Sequence, residues 1–277
     1  MRAALFGERI PIMELLVAHG ADVNALWNAH YPIVLAPCET LQPDSLWWLL
    51  AHGADPERHD LRFGRPLPML LGTYSRDAPG KHACLDVLAE LAVPMPDTPP
   101  LALHRGRTDL LDAHLSRDPR LLARFFNTEE IYPPELGLAP DSGLTATPVN
   151  GVTLLHLAVE FDDYETAAWL IGKGTDVNAR SAVDIEGFGG HTPLFHAVVS
   201  MGDRHDRMVD LLLRNGADPT IWATFRKQLG SMGEPEKERM TEFRDVTPTE
   251  YARACIEPAW RNEPALAAIA RCLSAVS

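Results

Sequence analysis

A chain of 277 residues is long enough for two average domains or for one elongated architecture. Its hydrophobic content of 46% can supply a core, while a formal charge of −13 argues against nucleic acid or an anionic membrane surface as the main partner. Proline is frequent, with 23 residues, and this indicates many short elements with marked starts.

The sequence shows neither a secretory signal nor a membrane span. Glu8, Arg9 and Pro11 interrupt the apolar start, and no window approaches the roughly 18 apolar residues of a spanning helix. The cysteines lie far apart and form no C-x-x-C pair, so we expect reduced, buried thiols and a cytoplasmic protein. They are Cys38, Cys84, Cys255 and Cys272.

Two short strings recur along the chain. The first string is the end of a leucine-rich segment followed by a glycine turn. In its first two copies, Gly20 and Gly53 are 33 positions apart. Its copies read LLVAHGADVNA at 15–25, LLAHGADP at 49–56, LIGKGTDVNA from Leu170 and LLLRNGADPT from Leu211. The other string reads HYPIVLA at 30–36, VTLLHLA at 152–158, HTPLFHA at 191–197 and VTPTEYA at 246–252.

These strings resemble the ankyrin repeat, a unit of about 33 residues with two antiparallel helices and a hairpin loop. The chemistry of the strings supports the resemblance. Thr153, Thr192 and Thr247 stand where a hydroxyl can cap a helix start, and Pro193 and Pro248 follow at the first helical position. The turn glycines stand where a left-handed residue ends a helix. They are Gly20, Gly53, Gly174 and Gly216.

The resemblance implies an all-α fold, a single ankyrin-repeat solenoid over residues 1–277 with about seven helix-turn-helix units and short β-hairpin loops. We expect the units at about 1–26, 27–59, 60–97, 98–119, 148–180, 181–220 and 244–275. In the first unit the apolar residues either fold back as an irregular cap or belong to a fragment whose missing part would cover them. They are Leu5, Phe6, Ile10 and Ile12. The apolar stretch EPALAAIARCL is expected to be a capping helix.

Residues 120–147 and 221–243 are predicted insertions. Within the first, FFNTEEIYPPELGL at 125–138 could lie over the groove of the fifth unit. The sequence ATFRKQLGSMGEPEKERMTEFR from Ala223 favours a helix, a Gly-Pro loop and a second short helix. This segment is either a solvent-exposed extension of the last hairpin loop or an arm that binds a specific partner.

Catalytic and metal-binding patterns are weak. His156 occupies the T-L-L-H position, where the family uses histidine to hydrogen-bond neighbouring turns. His191 and His196 are five positions apart, which is off the i, i+4 spacing of paired helix ligands. There is no G-x-S-x-G elbow. We expect no enzyme activity, no metal and no cofactor.

The family resemblance implies that hairpin tips and the exposed ends of first helices line a concave groove for a protein partner. Carried onto this chain, the expected partner-binding residues are Val152, Glu160, Phe161, Lys173, Arg180, Phe188, His191, Val199, Ser200, Asn215 and Trp222. Phe161, Phe188 and Trp222 are large apolar side chains that the repeat does not need for its core, so we predict them as interface anchors. The alternative is that they pack against the two insertions.

The sequence favours the first of three functions and leaves two alternatives. The first is a monomeric protein-binding module whose partner has a neutral or basic binding face. The second is a small-ligand binder or an enzyme in which residues 120–147 form a lid over the groove. The third is a scaffold or inhibitor that blocks a toxin or host enzyme.

Overall fold

Short helices in antiparallel pairs form most of the structure. The structure, a computed structural model, describes residues 9–58, 60, 64–136, 145–200, 204–229, 239–255 and 258–276. Two expectations lie outside these residues: the placement of Leu5 and Phe6, and the Gly-Pro loop within 230–238.

In the first half of the chain, helix α1, Ile10–Ala18, comes first. A short β-hairpin follows, in which strand β1, Leu26–Trp27, pairs antiparallel with strand β2, Tyr31–Pro32. Five helices follow. They are α2 Leu35–Glu39, α3 Pro43–Ala51, α4 Pro66–Gly72, α5 Ala78–Glu90 and α6 Pro99–His104. Helix α7, Thr108–Arg117, then leads into a 3-10 turn at Pro119–Ala123.

The middle of the chain contains the short helix α8, Thr128–Ile131, and a 3-10 turn at Pro134–Leu136. Two further helix pairs follow, α9 Leu154–Glu160 with α10 Tyr164–Gly172, and α11 Pro193–Ala197 with α12 Arg207–Arg214. The chain continues through strands β3, Ala223–Leu229, and β4, Arg239–Val246. It then forms α13 Pro248–Ala254, a 3-10 turn at Pro258–Trp260 and α14 Glu263–Val276.

Local chemistry explains where these helices start and stop. Pro193 and Pro248 occupy the first turns of α11 and α13, as expected, and the Thr247 hydroxyl accepts from the Glu250 amide. The expected cap at Thr192 is wrong, because its side chain makes no capping hydrogen bond and its Oγ1 has no partner among the described residues. The four turn glycines have φ of +86°, +86°, +91° and +89°, and this confirms the left-handed turns.

The core is one continuous cluster of buried apolar side chains that runs from Met13 to Ile269. Helix α9 packs on both α10 and α11, α3 packs on α5, and α12 packs on α14. Each unit therefore completes the core of its neighbours, as in a repeat array. In the described part of the chain, no helix is both long and apolar enough to cross a membrane.

The described part of 120–147 lies against the start of the fifth unit. Phe126 is buried and its backbone exchanges two hydrogen bonds with Val152, at 2.8 and 3.0 Å. The Thr128 amide donates to the Asn150 side chain, and Ile131 and Tyr132 are buried. This segment is therefore integrated into the stack rather than lying free over it.

The two helices favoured from Ala223 are wrong. Residues 223–229 and 239–246 are antiparallel strands, with Phe225 opposite Phe243. Phe225 and Phe243 are buried, whereas Glu242 and Arg244 on either side of Phe243 are exposed. This alternation has the two-residue period of a strand, and it outweighs the charge-rich composition that favoured a helix.

Candidate functional site

A buried carboxylate lies at the C-terminal end of α9. Glu160 accepts hydrogen bonds from Arg76 Nη2 at 2.8 Å, from His196 Nδ1 at 2.8 Å and from the Ala146 amide at 2.7 Å. The Thr147 amide donates a fourth at 3.3 Å. Glu160 thereby joins the third unit, the end of the 120–147 insertion and α11.

The charges in this polar cluster compensate one another. The Arg76 and Glu160 side chains are each 1% exposed, so neither is stabilised by water. Burial by itself raises the pKa of the Glu160 carboxyl, but the hydrogen bond from His196 and the charge of Arg76 outweigh it, and the net pKa is lowered. Glu160 is therefore a structural anion with its hydrogen-bonding capacity filled by donors.

His156 links two successive repeat turns. Its Nδ1 accepts from the Thr153 amide at 3.2 Å, so its Nε2 carries the proton and donates to the His191 carbonyl at 3.1 Å. Burial, followed by the charge of His196, lowers the pKa of His156 to about 3. The expected structural role of the T-L-L-H histidine is confirmed.

His191 has a similar role. Its ring contacts the Ser181 hydroxyl at 2.9 Å and the Pro148 carbonyl at 3.1 Å. Burial and the neighbouring histidines hold the pKa of His191 well below its usual value. The neutral ring therefore ties the 181–190 loop to the residues that precede α9.

Phe161 differs from the expectation that it is a free aromatic anchor. It is buried, with Lys81 Nζ 3.6 Å from its ring centroid and the His104 ring 4.8 Å away. Arg76 also lies over the ring. The side chains that contact the Phe161 ring, Arg76, Lys81 and His104, come from the third and fourth units.

The loop after Arg180 forms a narrow turn that projects from the stack. The Asp184 amide donates to the Phe188 carbonyl at 2.9 Å, and the Asp184 carboxylate accepts from the amides of Glu186 and Phe188. Arg226 of β3 pairs with both Asp184 and Glu186 and lies 3.9 Å above the Phe188 ring. The turn is thus held against the β3–β4 hairpin.

Gly189 allows the two arms of this loop to approach each other closely. Its φ is +140°, and a Cβ added there would lie 2.0 Å from the Ala182 carbonyl oxygen. The Gly189 amide donates to the Thr224 carbonyl at 2.6 Å. A side chain at this position would push Gly189 away from the backbone of Ala182 and Val183.

Exposed apolar side chains and an arginine gather along this loop and the start of the hairpin. Ile185 is fully exposed, Val183 is 60% exposed and Trp222 is 55% exposed. The Arg180 guanidinium lies 5.6 Å from the Trp222 ring and donates to the Trp222 carbonyl at 2.8 Å. We call Arg180, Val183, Ile185, Phe188 and Trp222 the tip surface.

The eleven expected partner-binding residues fall into three groups in the structure: tip-surface residues, buried residues and residues with local partners. Arg180, Phe188 and Trp222 belong to the tip surface, with Phe188 half-buried beneath Arg226. The expectation of exposure is wrong for five others, because the repeats pack over them. These are Val152, Glu160, Phe161, His191 and Val199, which are buried.

The remaining three expected residues have local partners. Lys173 pairs with Asp112 of the fourth unit, and the Asn215 side chain donates to the Leu211 carbonyl at 2.8 Å. The Ser200 amide donates to the Trp260 carbonyl at 2.8 Å. Lys173 and Asn215 stay exposed, whereas Ser200 is half-buried.

Sequence reasoning missed Val183 and Ile185 as surface residues and Arg76 as a partner of Glu160. Val183 and Ile185 do have a signal, because they are apolar residues in the sixth unit, where the turn glycines Gly174 and Gly216 are 42 positions apart instead of 33. Arg76 has none, since it meets Glu160 across 84 positions of sequence.

Residues 137–221 match a family model described as ankyrin repeats in three copies. The ankyrin-repeat prediction and the all-α solenoid fold are thereby confirmed. No curated protein is significantly similar to the chain.

Several solved structures are similar at low identity. The human ASB11 ankyrin repeat domain is 16% identical, with 98% of this chain and 96% of that chain covered and a TM-score of 0.41. An ankyrin repeat domain from Acinetobacter baumannii is also 16% identical, with 98% and 96% covered and a TM-score of 0.32. The ankyrin repeat domain of Bcl-3, an IkappaB family member, is 16% identical, with 97% and 96% covered and a TM-score of 0.34.

Proposed function

We propose that this ankyrin-repeat chain binds a protein partner through the tip surface. Ankyrin-repeat domains are generally protein–protein interaction modules, so a binding role is the starting expectation. The single observation that carries the choice of surface is the exposure of Trp222, Val183 and Ile185 around Arg180.

The chemistry of the tip surface suits an interface centre. Tryptophan and arginine are the residue types most enriched among interface hot spots, and they act most strongly when neighbouring apolar groups exclude water. Trp222 and Arg180 are in contact, Val183 lies close to Arg180, and Ile185 adds exposed apolar area two positions further along the loop.

The surface is also held in place before binding. His191, Gly189 and the ion pairs of Arg226 each fix the 181–190 loop to the stack or to β3. A loop that is already ordered loses less conformational entropy when a partner binds.

We infer that the partner presents an apolar patch with a hydrogen-bond acceptor opposite Arg180. Among the described residues, Arg180 has no carboxylate partner, whereas Arg226 and Arg244 are each paired with acidic residues. The chain-wide charge of −13 disfavours a strongly acidic partner, so the acceptor should sit on a neutral or basic face.

The test is affinity capture from native lysate with three purified proteins: the parent, Trp222→Ala and Trp47→Ala. Trp47 is a matched control, because it is 51% exposed on α3, outside the tip surface. Loss of a hot-spot tryptophan costs at least about 2 kcal/mol, or roughly a 30-fold loss of affinity. We expect Trp222→Ala to lose specific partners that Trp47→Ala retains.

Circular dichroism should show that both variants remain folded, since both side chains are about half exposed. If the two variants capture the same proteins in the same amounts as the parent, the tip surface is not the binding site. If Trp47→Ala loses partners and Trp222→Ala does not, the interface lies on the second helices of the repeats.

A further inference from the structure

A cleft of about 510 Å³ lies on another part of the stack, between the second and third units and the 3-10 turn Pro134–Leu136. Its apolar lining includes Leu67, Val93, Met95 and Leu136. Pockets of roughly 300–1,000 Å³ with mostly apolar walls are typical of small-molecule sites. The cleft is therefore large enough to hold a small organic molecule.

The cleft offers few backbone hydrogen-bond donors. Four lining residues are prolines, which have no N–H. They are Pro56, Pro68, Pro94 and Pro96. The amides of Glu57, Val93 and Leu136 already donate within the chain, at 2.9, 3.0 and 2.9 Å. Seven of the eleven lining residues therefore have no backbone donor to offer to an anion or a carbonyl-rich ligand.

The first turn of α4 contributes to the same shortage. Pro66 and Pro68 remove two of the four N–H groups that a helix start normally leaves without an intrahelical partner. Only the Leu67 amide is left in this turn, so α4 cannot cradle a negative group at the cleft.

The charged groups of the cleft are mainly acceptors. The Arg65 guanidinium donates to the Glu57 carboxylate and, at 3.4 Å, to the Glu135 carbonyl, so it is already engaged. The Glu135 carboxylate is exposed and has no cationic partner among the described residues. Two carboxylates and one guanidinium leave the lining with a net negative charge.

We propose that this cleft binds a small organic cation, an alkylamine or alkylguanidine with an apolar body. The apolar body contacts Val93, Met95 and Leu136, and the cationic head pairs with the Glu135 carboxylate. The chain-wide charge of −13 raises the local concentration of cations around the cleft. This site does not depend on the tip surface, because different units form it.

The test uses three probes of equal chain length: hexylamine, 1-hexanol and hexanoate. The methyl group of Met95 is half-buried in the lining and, labelled with carbon-13, reports occupation by its NMR shift. We expect a saturable shift with hexylamine, weaker binding of 1-hexanol and the weakest binding of hexanoate. No saturable shift with hexylamine, or equal affinities for all three probes, would overturn the proposal.

Two matched variants locate the cationic head. Glu135→Gln should lower hexylamine affinity by up to about fivefold, the effect of one exposed ion pair, and leave 1-hexanol binding unchanged. Glu129→Gln removes another exposed carboxylate, from α8 outside the cleft lining, and should leave both affinities unchanged. An equal effect of the two variants would mean that only the overall charge attracts the amine.

A third variant tests the cleft itself. Met95→Trp fills the space from a half-buried position and should abolish binding of hexylamine and 1-hexanol, as followed by isothermal titration calorimetry. Undiminished binding of hexylamine to a folded Met95→Trp protein would place the amine elsewhere and refute the assignment.

Discussion

Replacing Glu160 by glutamine should be among the most costly single substitutions in this chain. The Glu160 carboxylate is the acceptor in all four of its hydrogen bonds. The donors are Arg76 Nη2, His196 Nδ1 and the amides of Ala146 and Thr147. Glutamine replaces one carboxylate oxygen by an NH₂ group, which is itself a donor. At least one of the other three donors must then face another donor, because only His196 can change its tautomer and accept.

The magnitude follows from burial. The Arg76 side chain is 1% exposed, so without the carboxylate its charge stays out of water and loses this ion-pair partner. Breaking one partner of a buried ion pair costs about 3–5 kcal/mol. The total free energy of unfolding of a domain is about 5–15 kcal/mol, so the loss is a large fraction of it.

The assay is urea denaturation at pH 7, followed by tryptophan fluorescence and by circular dichroism. Glu165→Gln is the matched control, because Glu165 pairs with Arg207 at 3.0 Å on the surface, where both side chains are well exposed. That variant should lose less than about 1 kcal/mol. Equal losses in Glu160→Gln and Glu165→Gln would refute the reasoning.

A double variant separates the ion pair from the amide contacts. Arg76→Met combined with Glu160→Gln removes both charges, so the uncompensated guanidinium disappears. The double loss should fall short of the sum of the two single losses by at least about 1 kcal/mol. Additive losses would indicate that the two charges act independently.

Three further predictions concern other parts of the stack. The pKa of His156 is lowered to about 3, so its stabilising effect is complete above about pH 6.5 and is lost toward pH 3, by about 1.4 kcal/mol per pH unit. In urea titrations between pH 7 and 5, a folded His156→Gln variant should therefore show a shallower loss of stability than the parent, and parallel curves would contradict this. Gly189→Ala should lower the free energy of unfolding by about 1–3 kcal/mol and speed proteolysis of the loop, because the added Cβ clashes with backbone. Gly187→Ala is the control and should lower it less, because Gly187 has open space around it. Phe225→Ala should lower the free energy of unfolding by about 3–5 kcal/mol in the same denaturation assay, since Phe225 is buried. Phe125 is exposed, so Phe125→Ala should lower it far less. Similar losses for the two variants would mean that the hairpin does not pack on the core.

The local sequence predicted the repeated elements well. Proline and threonine before apolar segments, and glycine after them, act through backbone geometry within a few residues. Pro193, Pro248 and Gly174 therefore have the conformations that their neighbours indicated. The same reasoning found the hydrogen bond of His156, because its partner lies in the adjacent turn.

Prediction was weaker where a segment departs from the repeat. The β3–β4 hairpin was misassigned because its charged residues resemble a solvated helix, although Phe225 and Phe243 follow a strand pattern. The partner-binding residues were transferred from a regular unit, but Val199 is covered by the seventh unit and Phe161 by Lys81 and His104. The sequence around a residue does not show whether another unit packs over it.

The sequence by itself predicted an ankyrin-repeat fold, because the turns and helix starts depend on residues close together in the chain. Only the tertiary structure decided which side chains remain on the surface. Burial depends on side chains that meet across long separations, such as Arg76 and Glu160, 84 positions apart. That packing leaves Trp222 and Val183 exposed and buries Phe161.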